Sequence, residues 1–138
     1  MSQDHKAGDT IIKDSGQRQE FSTGAKRDTQ SGKGRYDLLP AHAIERIAKI
    51  FEGGALKYGE DNWRAGIPLR RYLDSAMRHL NKAAQGQTDE DHFAQAAWNI
   101  CCLIETKFMI ERGFFTEAQK KELDNLPNWY DGNNKNGK

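Results

Sequence analysis

Residues 88–113, "TDEDHFAQAAWNICCLIETKFMIERG", constrain the fold more than any other stretch. Thr88 is a good N-cap, Asp89, Glu90 and Asp91 put three carboxylates where a helix dipole is positive, and Gly113 ends the run. Phe93, Ala96, Ala97, Ile100, Leu103, Ile104 and Phe108 recur at helical spacing, with Trp98 and Cys102 away from that stripe. A helix that is apolar almost all round must be surrounded, so it belongs at the centre of a bundle.

Two further segments supply neighbours. Pro40 opens "PAHAIERIAKIFEGGALKY", in which Ile44, Ile47, Phe51 and Tyr58 share a face with Gly54. Gly53-Gly54 either weakens the last turn or lets another helix approach closely, and the helix ends by Gly59. Pro68 opens "PLRRYLDSAMRHLNKAAQG", with Leu69, Leu73, Ala76, Met77, Leu80 and Ala84 in one stripe and Gly86 as the stop. A shorter amphipathic piece, "TEAQKKELDNL", follows. No segment alternates as a strand does, so the expected class is all-α: a small helical bundle completed by oligomerisation.

Hydrophobic residues are 36% of the 138, low for a chain packed throughout. Residues 1–32 carry only Ile11, Ile12 and Phe21 as larger apolar groups and are read as a flexible arm. Residues 33–127 are read as the folded domain and 128–138 as a flexible tail. A net charge of +1 shows no nucleic-acid footprint, and no apolar run is long enough for a bilayer or patterned as a secretion signal. Cys101 and Cys102 are adjacent in a helical run, so they point apart and read as thiols in a reducing cytoplasm.

Polar residues border these apolar faces. Glu45 and Glu52 are seven apart on one side of the first helix; Asp74 and His79 flank the second stripe. Asp89 lies at the start of the third helix, and His92 and Asn99 share one of its sides. Inward carboxylates on facing helices are how bundles hold metals, and hard oxygen ligands suit Mg²⁺ or Mn²⁺. Each residue also has a plain structural role open to it. Asp74 pairs at four-residue spacing with Arg70 and Arg78, Glu52 sits near Lys49, and Asp89, Glu90 and Asp91 can act as caps. Asn99 is harder to place so, because a buried amide without partners costs about 1–3 kcal/mol. The loop "GGALKYGEDNWRAGIPLRRYL", residues 53–73, carries Lys57, Tyr58, Asn62, Trp63 and Arg64, more chemistry than a connector needs.

The ordered set "GRYDLLP", "GALKYGEDNW", "YLDSAMRHL" and "DEDHFAQAAWN" resembles the phage dATP/dGTP diphosphohydrolase family of MazZ type, grouped with the MazG-like all-α NTP pyrophosphatases. The resemblance covers residues 31–110. It implies hydrolysis of a purine deoxynucleoside triphosphate to its monophosphate and pyrophosphate with Mg²⁺ or Mn²⁺. It further implies a homodimer or homotetramer, no stable nucleic-acid complex or membrane, and a role in dNTP pools in the host cytoplasm. On this reading Lys33, Arg35, Lys57, Arg64 and Arg78 hold phosphates, Trp63 or Tyr58 stacks on the purine, and Asn62 reads its edge. The better known Glu-x-x-Glu and Glu-x-x-Asp pairs of the MazG-like group are not present in clean form on the core helices. Helix geometry instead assigns the metal to Glu45, Glu52, Asp74 and Asp89, with His79 orienting or carrying a proton and His92 and Asn99 positioning ligands. Two other classes remain open: a histidine-based phosphohydrolase using His79, His92 and Asp74 around a transition metal, and a non-catalytic helical adaptor binding through Arg70, Arg71 and Arg78.

Overall fold

The computed structural model describes residues 4–8 and 10–127, so the expected tail at 128–138 lies outside the described residues. The chain divides into two compact units, Met1–Leu39 and Pro40–Lys138.

The first unit adds two short hairpins to an otherwise helical chain. β1 (His5–Ala7) pairs antiparallel with β2 (Thr10–Ile12), and β3 (Arg18–Glu20) with β4 (Lys26–Asp28). The short strands lack apolar alternation, and polar contacts organise this unit instead. Asp14, which is buried, accepts two hydrogen bonds from the Arg18 guanidinium at 2.7 Å each and one from the Gly16 backbone at 2.8 Å. Those donors hold its carboxyl well below the usual carboxylate range. Asp28 accepts from Ser15 and from Lys33 at 3.0 Å, which pushes its pKa down to about 2.

The second unit is helical. α1 spans Ala41–Tyr58, α2 Leu69–Ala84, α3 His92–Glu111 and α4 Glu117–Leu123, with a 3-10 turn at Asn62–Ala65 between α1 and α2. The helix ends follow their local chemistry. Pro40 precedes α1, and Gly59 ends it at φ 95°, where a side chain would be strained. A capping box between Thr116 and Gln119 starts α4. Thr88 is not the N-cap of α3: Asp91 is, accepting from the Ala94 N–H at 3.1 Å. Asp89 and Glu90 therefore precede the helix instead of lying in its first turn. α1 runs unbroken through Gly53 and Gly54, and a Cβ at either would meet nothing within 4 Å, so no second helix packs there.

Leu69, Tyr72, Cys102, Leu103, Ile110 and Leu123 form the core, with Phe51, Trp63, Trp98 and Phe115 against its edges. This corrects the expected orientation of α3. Cys102 is fully buried and Trp98 packs on the core, whereas Phe93, Ile100, Ile104 and Phe108 are exposed. The physical reason is that α3 is apolar on nearly every side, so periodicity alone cannot select its inner face. The inner face is the one that also carries His92, Asn99 and Thr106. Among the described residues no helix is long and apolar enough to cross a membrane.

The two thiols differ accordingly. Burial pushes the Cys102 thiol up to about 12, while Cys101 is exposed. Thiolate is the reactive form, so Ellman's reagent is expected to titrate one thiol per native chain and both after denaturation. Rapid reaction of both in folded protein would contradict the packing of α3.

Candidate active site

α1 and the α2–α3 pair enclose a cavity of about 930 Å³, within the range of small-molecule sites. The cross-helix contacts give it two ends. At one, α2 and α3 meet antiparallel through His79 and His92, whose Nδ1 atoms are 2.9 Å apart, and Arg46 of α1 makes a two-pronged ion pair with Asp91. At the other, Phe51, Trp63, Tyr72 and Trp98 pack edge to face or tilted, with centroid separations of 5.7–6.3 Å. Lys49, Glu52, Gly53 and Gly54 line the cavity from α1; Arg71, Ser75, Arg78 and His79 from α2; Gln95, Trp98 and Asn99 from α3. Glu90 lines it from the segment before α3.

The histidine pair is tied to a carboxylate. Asp89 Oδ1 lies 2.8 Å from His92 Nε2, and that N–H lowers the Asp89 pKa. Burial first, and the neighbouring Arg78 charge second, hold the His79 pKa below its ordinary value. With neutral rings, one tautomer satisfies every contact: His79 Nδ1–H donates to His92 Nδ1, and His92 Nε2–H donates to Asp89. It leaves a lone pair on His79 Nε2. Glu90 accepts from the Gln95 amide at 2.8 Å, which holds its carboxyl below the usual range. Asp89, Glu90 and His92 each offer one ligand atom, all within 4.8 Å of one another. Two carboxylate oxygens at that spacing suit a hard divalent cation such as Mg²⁺ or Mn²⁺, while in the neutral-ring arrangement both His92 nitrogens are engaged.

The residues singled out from the sequence divide by position. Glu52, Lys57, Tyr58, Asn62, Trp63, Arg78, His79 and Asn99 share the cavity wall. Asp89 and His92 stand beside it in the Glu90 cluster. Glu45 is off the lining and pairs with Lys49 at 3.4 Å; Asp74 is off it too and pairs with Arg71 at 3.0 Å. The structure therefore does not gather Glu45, Glu52, Asp74 and Asp89 into one set. Arg64 stacks 4.5 Å from the Trp63 ring and pairs with Asp61, outside the lining. Lys33 and Arg35 belong to the first unit, where they pair with Asp28 and Asp37. The sequence reading passed over Glu90, Ser75, Gln95 and Lys49 as site residues and named Arg71 only for the adaptor alternative. The one available signal was Glu90, an acid beside Asp89 and three residues before Phe93, and a capping role accounted for it equally well.

Similarity to known proteins covers the helices that line the cavity. The family described as dATP/dGTP diphosphohydrolase, N-terminal, matches residues 23–114, which hold α1, α2, α3 and the whole cavity lining. A dATP/dGTP diphosphohydrolase of Salmonella phage PMBT28 is 32% identical, over 54% of this chain and 27% of its own length. The chain thus corresponds to about a quarter of that relative. No solved structure matches. With two thirds of its residues and its entire cavity inside the match, this chain belongs to the family of dATP/dGTP diphosphohydrolase N-terminal regions.

Proposed function

We propose that the cavity binds a purine deoxynucleoside triphosphate and hydrolyses it to the monophosphate and pyrophosphate. The observation that carries this reading is a cavity whose wall combines cations (Lys49, Lys57, Arg71, Arg78), carboxylates (Glu52, Glu90) and the aromatic rings of Trp63, Tyr72 and Trp98. A nucleotide offers the matching groups: an anionic chain and a flat ring.

Asp89 and Glu90, with Glu52 across the cavity, would hold the divalent ion, Mg²⁺ or Mn²⁺, while both His92 nitrogens stay in the chain from His79 to Asp89. Such an ion supplies charge neutralisation on phosphate oxygens and a more acidic water. Lys49, Lys57, Arg71 and Arg78 neutralise the triphosphate, the arginines as planar forks and the lysines as mobile point charges. The His79 Nε2 lone pair accepts the proton of the attacking water, and the link through His92 to Asp89 holds the ring in the tautomer that can do so. Trp63 and Tyr58 provide faces for the base, and Asn62 a polar edge. Glycine at 53 and 54 leaves room against bare backbone. Gly54→Ala is expected to stabilise the fold by about 0.5–1 kcal/mol, since helical glycine costs roughly that much. It should also weaken nucleotide affinity by narrowing the cavity; thermal melts with and without dGTP separate the two effects.

We also propose that two copies associate through the outer face of α2 and α3. Met77, Leu80, Phe93, Ile100, Ile104 and Phe108 lie there, 40–63% exposed, an apolar strip of the kind that marks an interface. Ile104→Lys is expected to convert an associated wild type to a monomer by light scattering. A monomeric wild type would remove this assignment. The setting that fits both readings is the nucleotide pool of an infected cell's cytoplasm, with a purine dNTP as the small-molecule partner.

Product analysis tests the main reading. The protein is incubated with each of the four dNTPs plus Mg²⁺, Mn²⁺ or EDTA, and products are separated by ion exchange. Metal-dependent formation of dAMP or dGMP with pyrophosphate is the expected result. Release of inorganic phosphate, or intact dNTPs with folded protein and Mn²⁺, would overturn it.

A further inference from the structure

We propose that the Asn99 side-chain oxygen recognises the exocyclic amino group of a purine base, so that the site selects amino-bearing purines over their deaminated analogues. The proposal rests on the nucleotide reading above and extends it to the atom that discriminates. Asn99 is 6% exposed, at the middle of α3, and lines the cavity beside Trp98. Its Nδ2 donates to the Gln95 carbonyl at 2.8 Å, one turn back along the same helix. A carbonyl can only accept, so this bond fixes which end of the amide is nitrogen and leaves Oδ1 as the free end. Among the described residues Oδ1 accepts no hydrogen bond. The fully buried side-chain atoms without a partner among the described residues are Tyr72 Oη, Trp98 Nε1 and Thr106 Oγ1, so Asn99 Oδ1 keeps access to the cavity, where a ligand's donor can reach it.

Asn99 also stands where a base would lie. The aromatic cluster begins at its neighbour Trp98, whose own indole N–H is likewise without a partner. Of the neutral acceptors in the cavity wall, which include Asn62, Ser75 and Gln95, Asn99 is the one next to Trp98 on α3. A neutral side-chain oxygen whose amide nitrogen is already engaged matches a neutral N–H donor. Adenine presents one at its C6 amino group and guanine at its C2 amino group, whereas hypoxanthine has neither. A site built around such a bond rejects ligands lacking it strongly, because its own polar atom is left unpaired.

The test is equilibrium binding of dGMP, dAMP and dIMP to the full chain by calorimetry, in EDTA so that no turnover or metal contributes. For wild type, dGMP or dAMP is expected to bind at least about tenfold more tightly than dIMP. Which of the two prevails identifies the amino group that is read. In Asn99→Ala that ratio should fall toward one, mainly by loss of dGMP or dAMP affinity. Asn99→Asp keeps an acceptor and should keep the preference. Equal binding of amino and deaminated nucleotides by wild type would overturn the assignment without any variant. So would an unchanged ratio in folded Asn99→Ala; in both cases the nucleotide reading itself would stand. Absence of binding by all three would remove the nucleotide reading and this assignment together.

Discussion

Glu90→Gln is expected to lower dGTP turnover by about 10²-fold or more, the usual scale for removing one group that stabilises transition-state charge. The substitution keeps the side chain's size and its proximity to Gln95 but removes the carboxylate shared with the Asp89–His92 cluster. Glu90 is exposed, so stability should change by no more than about 0.5 kcal/mol. Glu52→Gln, on the α1 wall of the same cavity, should behave similarly. Glu45→Gln and Asp74→Asn serve as the contrast, because both residues sit off the lining in ion pairs with Lys49 and Arg71. Steady-state kinetics on the four variants decides between helix spacing and tertiary placement. Loss of turnover in Asp74→Asn with full activity in Glu90→Gln would reject the site described here.

Gly66→Ala is expected to destabilise the helical unit by about 2–4 kcal/mol, combining backbone strain with overpacking. Gly66 has φ 114° and ψ 118°, a region that L side chains avoid. A Cβ there would stand 3.0 Å from Leu123 Cδ1 and 3.1 Å from Phe115 Cε1. Neither neighbour can yield freely, since Leu123 belongs to the core and Phe115 packs on its edge. For a domain near 100 residues the melting midpoint should fall by about 10–20 °C. Gly53→Ala makes the control, because its Cβ would meet open space and its φ is helical. An unchanged midpoint in Gly66→Ala would mean that the α4 end does not close over this turn.

Much of the helical unit was legible in the residue order. Pro40, Gly59, Pro68 and Gly113 punctuate α1, α2 and α3 as local backbone chemistry requires, and the segments between them have helical periodicity. The two hairpins were not legible. Their strands are three residues long, and charged contacts around Asp14 and Asp28 hold them, which leaves no alternation to find. The start of α3 was missed for a related reason: Thr88 and Asp91 both have capping side chains, and propensity does not choose between them. The site was legible as residue types and not as a set. Spacing placed Glu52, His79, His92 and Asn99 beside the apolar faces, yet it could not separate Glu52 from Glu45 or Glu90 from a helix cap.

By itself, then, the sequence determined the helices, their order, the presence of an unneeded amide at Asn99 and the motifs of its family, because each depends on near neighbours in the chain. Tertiary structure decided which side of α3 faces inward, which carboxylates share a cavity, and that His79 meets His92 across thirteen residues. Those outcomes depend on how apolar surfaces and polar partners are matched between helices. A helix apolar on nearly every side leaves that choice to its neighbours.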